Sequence, residues 1–230
     1  MPLALRHTDL RIQADKVWLD ALQSHAPDVR GLIVLIAPYL TRLRESRENY
    51  VAAAMRAAGY GTLIVSMLSP YEDARDPDVK YDVALLQRRL EAVLDWLDQQ
   101  PSWSAMPRGI LAVGTTAAAC VRVLSRAPER ASALACRAPR IDLAGAEPLR
   151  RLNVPTMMMI PGAQGDLRAP AEHAYAFIGA PKAWREFNEA SAGFIEPGVL
   201  EAASAAARDW FIKHLPEAPP VQIEAPIADQ

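Results

Sequence analysis

Along the chain, short unbroken apolar runs alternate with longer segments in which apolar residues recur every three or four positions. The runs Gly31–Ala37 (GLIVLIA) and Gly61–Met67 (GTLIVSM) are too short for ordinary helices and rich in β-branched residues. They predict strands buried on both faces. Between them, Asn49–Ala58 predicts a helix stopped by Gly59. Residues Tyr81–Gln99 place Val83, Leu86, Leu90, Val93, Leu94 and Leu97 at helical spacing, which predicts an amphipathic helix. A strand is expected at Gly109–Val113, an Ala-rich helix at Thr116–Arg126, strands at Ala131–Arg137 and Pro155–Ile160, and a last helix at Pro197–His214. Strand and helix alternate, so the fold class expected is α/β, a doubly wound, mostly parallel sheet flanked by helices. Asp9–Asp20 alternates weakly and is expected as one antiparallel strand on the sheet edge. Residues 1–215 are read as one domain, and 216–230, with four prolines, as a flexible tail.

Composition narrows the function classes. At 51% hydrophobic and 23% charged over 230 residues, the chain is globular rather than disordered. No apolar run approaches the roughly 18 residues a spanning helix needs. The N-terminal residues show no basic patch followed by an apolar stretch, so a cytoplasmic location is expected. Basic and acidic residues, 25 against 27, are mixed along the chain, which argues against a nucleic-acid footprint. Cys120 and Cys136 sit in apolar contexts without metal-ligand spacing, and the four histidines are scattered. No metal and no cofactor are expected, and the Met157–Met159 triplet reads as core filling.

Ligands of open α/β sheets bind at the carboxyl ends of the strands. The loops expected to carry chemistry are therefore Pro38–Arg47, Gly114–Thr116, Pro161–Asp166 and Glu189–Phe194. None contains a dinucleotide fingerprint or a glycine-rich phosphate loop.

From Thr8 to Leu215, the order GLIVLIA, GTLIVSML, LDWLDQQP, GILAVGTTAAACV, VPTMMMIPG and GFIEPGVLEAASAAARDWF resembles the small dienelactone-hydrolase-like members of the α/β-hydrolase superfamily. The resemblance implies an α/β-hydrolase fold without a large lid domain, and a site built from nucleophile, acid, base and oxyanion loop. It places the nucleophile at Gly114, in Ala112-Val113-Gly114-Thr115-Thr116, the acid at Gln164 and the base at Ala192. None of these side chains can perform its family role. Pro38 stands where the oxyanion loop begins, and it carries no N–H. The implied function is a pseudohydrolase that binds a small ligand or a partner.

The alternatives keep the chain an enzyme: a hydrolase of esterase or dienelactone-hydrolase type, or a non-hydrolytic enzyme using a displaced set. Thr115 or Thr116 would be the nucleophile, Asp166 the acid and His173 the base, with Tyr39 as a further acid-base group. The bland counterpart is that both threonine hydroxyls cap the following helix, that Asp166 is a loop or helix-start residue and that His173 lies on a helix surface. The expected ligand-binding set is Tyr39, Arg44, Gly114, Thr115, Arg137, Gln164 and Phe194. Arg44 and Arg137 facing one cavity would suit a small anion; against this stands surface pairing with Glu45, Glu48 or Asp142. A protein partner is the other expected occupant, and a homodimer the default assembly.

Overall fold

The computed structural model describes residues 5–163 and 165–216. The expected tail, 216–230, lies outside the described residues from 217 onward. One eight-stranded open sheet runs through the molecule in the order β1-β2-β4-β3-β5-β6-β7-β8. Its strands are β1 (Arg6–Ala14), β2 (Val17–His25), β3 (Leu32–Ala37), β4 (Gly61–Ser66), β5 (Arg108–Val113), β6 (Ala133–Arg137), β7 (Thr156–Pro161) and β8 (Lys182–Phe187). From β4 to β8 every neighbouring pair is parallel, while β2 pairs antiparallel with both β1 and β4.

The continuous apolar strands β3 and β4 are buried at every position because helices cover both faces. On one face lie α3 (Val83–Asp98) and α4 (Thr116–Leu124); on the other, α1 (Arg47–Ala57) and α7 (Val199–His214). The second short helix, α2 (Pro70–Arg75), and α5 (Ala146–Arg151) and α6 (Gly165–Phe177) complete the set. Local chemistry sets several starts. Ser46 accepts the Asn49 N–H at the head of α1, Asp82 accepts the Leu85 N–H at the head of α3, and Ser69 with Glu72 forms a capping box on α2. The Met157–Met159 triplet and both cysteines are buried, as the apolar context implies.

Two expectations are corrected. Asp9–Asp20 is not one edge strand but parts of two: β1 turns at Asp15 (φ +53°) and returns as β2, with Arg11 opposite Asp20. The sheet also continues past β7 into β8, whose KAWREF sequence is only partly buried and so lacks the apolar run that marks an inner strand.

Candidate functional site

β5 ends at Val113 and α4 begins at Thr116, leaving a two-residue turn at the carboxyl edge of the sheet. Gly114 occupies it at φ +60°, the left-handed conformation that a sharp strand-to-helix elbow demands and that glycine adopts without strain. Its N–H donates to the Arg137 carbonyl (3.1 Å) and its carbonyl accepts from the Arg140 N–H (3.0 Å), so the elbow is fastened to the end of β6. A Cβ placed on Gly114 would meet only Pro38 Cγ, at 4.0 Å. The elbow therefore keeps room for a side chain it does not carry.

The two neighbouring hydroxyls are engaged, and not as helix caps. Thr115, 4% exposed, donates to the Lys80 carbonyl at 2.5 Å, across to the segment that follows α2. Thr116 is fully buried; its Oγ1 accepts the Val113 N–H (3.0 Å) and faces the carbonyls of Val113 (2.8 Å) and Ile36 (3.2 Å). The expected capping role is thus corrected. Carbonyls lie within reach of both hydroxyls, and a hydroxyl proton satisfied by a backbone carbonyl is not poised for transfer to an imidazole. Among the described residues nothing accepts the Thr115 N–H.

The loops expected to carry acid and base do meet at this edge. The Ala163 N–H donates to the Ala190 carbonyl (3.1 Å), which ties the loop after β7 to the loop before α7. Ala192 stands in that second loop, half-buried, two residues before Phe194. Phe194 is buried at φ +51° and packs edge-on against Phe187, with ring centroids 5.4 Å apart. Gln164 lies outside the described residues, and the backbone of Asp166 falls in the first turn of α6. His173 is exposed on α6 with its ring T-shaped against Phe177, as a helix-surface residue would be. Tyr39 is half-buried beyond β3 and packs on the α3–α4 side.

The two arginines expected to converge on one cavity are separately engaged. Arg44, exposed, gives Nε (3.0 Å) and Nη2 (2.6 Å) to one oxygen of Asp9 on β1. It lines a groove of about 600 Å³ between the β1–β2 hairpin and residues 40–45, in which Arg11 and Arg42 are likewise paired, with Asp20 and Glu45. Arg137 pairs instead with Glu48 at 2.5 Å, and both side chains are buried rather than at the surface, 4% and 6% exposed.

Glu48 was among the partners expected for the arginines, but at the surface; the burial of the pair is what sequence reasoning missed. Glu48 shares the inward stripe of α1 with Val51, Ala52 and Met55, at spacings of three, four and seven residues. Arg137 follows Ala133 and Ala135 on the same face of β6. Only Nη2 reaches Glu48; Arg137 Nε and Nη1 are buried without a partner among the described residues. Each unmade bond of this kind costs about 1–3 kcal/mol. Burial holds the Arg137 guanidinium below its ordinary pKa; Glu48 opposes this, and the nearby Arg47 adds to it. Arg47 itself donates to the Gly193 carbonyl at 2.5 Å, and the Phe194 ring lies 5.9 Å from the Arg137 guanidinium.

A mostly parallel eight-stranded open sheet with antiparallel β2, a left-handed elbow between β5 and α4, and loops after β7 and β8 gathered beside it define a protein of the α/β-hydrolase fold. The structure superposes on dienelactone hydrolase from Anabaena variabilis ATCC 29413 with a TM-score of 0.85, at 26% identity, covering 92% of this chain and 99% of that one. A dienelactone-hydrolase-like promiscuous phosphotriesterase from metagenomic libraries gives a TM-score of 0.71 at 12% identity, over 93% of this chain and all of the other. The chain is thus similar in fold and sequence to the dienelactone-hydrolase-like members of the α/β-hydrolase superfamily. In sequence, it is 29% identical over 211 residues to a Mycobacterium tuberculosis protein provisionally named a phosphoribosyl transferase. The match takes in 92% of this chain, but the chain spans about half (47%) of that relative's length. No family model matches. Among the described residues, no helix is long and apolar enough to cross a membrane, and no group of three or more His, Cys, Asp or Glu could hold a metal ion.

Proposed function

We propose that this chain is a hydrolase-fold binding protein in which hydrolysis at the elbow has been lost, and that it holds a small anionic ligand or a partner at the carboxyl edge of the sheet. The observation that carries this reading is the elbow itself. Gly114 keeps the left-handed turn that presents a nucleophile, yet has no side chain, and the adjacent threonine hydroxyls are within hydrogen-bond distance of backbone carbonyls. Ala192 offers no proton acceptor in the loop where the family resemblance places the base. Gly114, Thr115, Arg137 and Phe194 form the proposed binding region, with Tyr39 at its rim; Gln164, expected in the same set, lies outside the described residues, and Arg44 belongs to the separate groove beside β1.

A serine-directed fluorophosphonate followed by intact-mass measurement tests the reading. The expected mass is that of the unmodified chain. An adduct on Thr115 or Thr116 overturns it.

A second reading, favoured by the dienelactone hydrolase and esterase neighbours, is an ester hydrolase with a displaced set of Thr115 or Thr116, Asp166 and His173. It requires His173 to leave the exposed face of α6 and Thr115 to release Lys80. The transferase name of the mycobacterial relative is not extended to this chain, because the loop after β3, PYLTRLRE, has no glycine with which to wrap a phosphate in backbone N–H groups.

A further inference from the structure

We infer that the unpaired edge of the buried Arg137 guanidinium is the element that recognises the ligand, and that it takes one small oxyanion of the size of phosphate or a short carboxylate. The inference rests on the binding reading above and gives it a ligand class and a residue.

A guanidinium offers two edges for two-point contact, Nη1 with Nη2 at its end and Nε with Nη2 along its side. Glu48 reaches Nη2 alone. Since Nη2 carries two hydrogens, one directed to each edge, whichever one Glu48 holds leaves the other edge complete. Nε and Nη1 are both buried and both without a partner among the described residues. A fixed two-point fork in a dry setting matches a carboxylate or phosphate oxygen pair.

The surroundings favour an anion. Arg47, which donates to the Gly193 carbonyl, acts electrostatically on the same guanidinium, so a second positive group stands near the pair. Arg137 is rooted beside the elbow: it is the strand partner of Val113, and its carbonyl holds the Gly114 N–H. At Gly114 a side-chain Cβ, its two chain neighbours set aside, would have only Pro38 Cγ within 4 Å, so the turn is not filled from across the fold. The Thr115 N–H, unaccepted among the described residues, adds a donor at the same turn.

The test is calorimetric titration and thermal shift of the full chain with sodium phosphate and, in a parallel arm, sodium acetate, each against sodium chloride at equal ionic strength. Saturable binding by phosphate, acetate or both, absent with chloride, is the expected result, and the two arms tell which oxyanion fits. Glu48→Gln removes the competing carboxylate charge; it is expected to melt lower than the unmodified chain, to be rescued by the oxyanion, and to bind it roughly tenfold more tightly. Gly114→Asn, whose side chain tolerates a left-handed backbone, fills the space at the elbow and is expected to abolish binding while melting as a folded protein. A purely structural pair would give no oxyanion-specific rescue. Binding that is absent or indistinguishable from chloride, or that is unchanged in both variants, overturns the inference. The fluorophosphonate result is independent of these titrations, so failure here leaves the loss of hydrolysis standing or falling on its own test.

Discussion

Glu48 and Arg137 are each other's charge partner in a setting nearly closed to water, and a buried pair responds asymmetrically to substitution. Removing one member strands the other charge. Glu48→Ala is therefore expected to lower unfolding free energy by about 3 kcal/mol. Adding Arg137→Met, which removes the stranded charge and keeps an apolar stem, is expected to recover a large part of that loss. Urea unfolding of the two variants checks both outcomes. Gly114 makes a different demand, conformation without crowding. Gly114→Ala is expected to cost only about 1–2 kcal/mol, from φ +60° alone. The elbow was legible through the family resemblance, which set Gly114 of Ala112-Val113-Gly114-Thr115-Thr116 at the nucleophile position between a strand and an Ala-rich helix. The engagement of Thr115 was not, since its partner, Lys80, lies 35 positions earlier. The burial of Glu48, expected only as a surface partner, could have been read: its place on the Val51–Ala52–Met55 stripe marks it as inward-facing despite its charge.

Among the elements, the strands with two covered faces were legible because continuous apolar runs have no other stable place. Helix α3 was legible from helical periodicity, and its ends, like those of α7, agree with the expected ones within two residues. Where one face meets water the signal thins. β8 reads KAWREF with five of its six residues only half-buried, and β1 is exposed along its first four residues, so the hairpin turn at Asp15 was hidden inside an apparently single strand. The helix α6 carries Pro170 and a polar surface, which masks its period. Packing between elements is tight where small residues permit it. On β5, a Cβ at Gly109 would stand 2.6 Å from the Phe211 ring of α7 and 2.9 Å from Ile33. The ring is fully buried and has little room to retreat. Gly109→Ala is expected to destabilise by about 2 kcal/mol through overpacking, read as a lower urea midpoint with the slope unchanged.

Across the whole molecule, three histidines give stability a pH dependence of one sign. Burial lowers the pKa of His25, His7 and His214 below the ordinary 6.5, with Arg56 and Arg44 adding to the effect at His7 and Lys213 at His214. Each folded-state value lies below the unfolded one, so the unfolded chain binds more protons in that range. The stability is full above about pH 6.5 and falls as the pH descends through the lowered values. Urea midpoints are expected to drop between pH 7.5 and pH 5.5, and His25→Gln, which removes the imidazole packed 4.2 Å from the Trp103 ring, to flatten part of that slope. A midpoint that rises on acidification would contradict the assignment. The molecule as a whole retains the hydrolase scaffold: the sheet order, the left-handed elbow and the loops after β7 and β8 gathered beside it. The proposal that this scaffold binds without cleaving is tested by steady-state assay of the purified chain on short-chain aryl esters, with no saturable turnover above buffer expected. Saturable turnover that is lost in Thr115→Val, Thr116→Val or His173→Gln would contradict it and restore a displaced catalytic set.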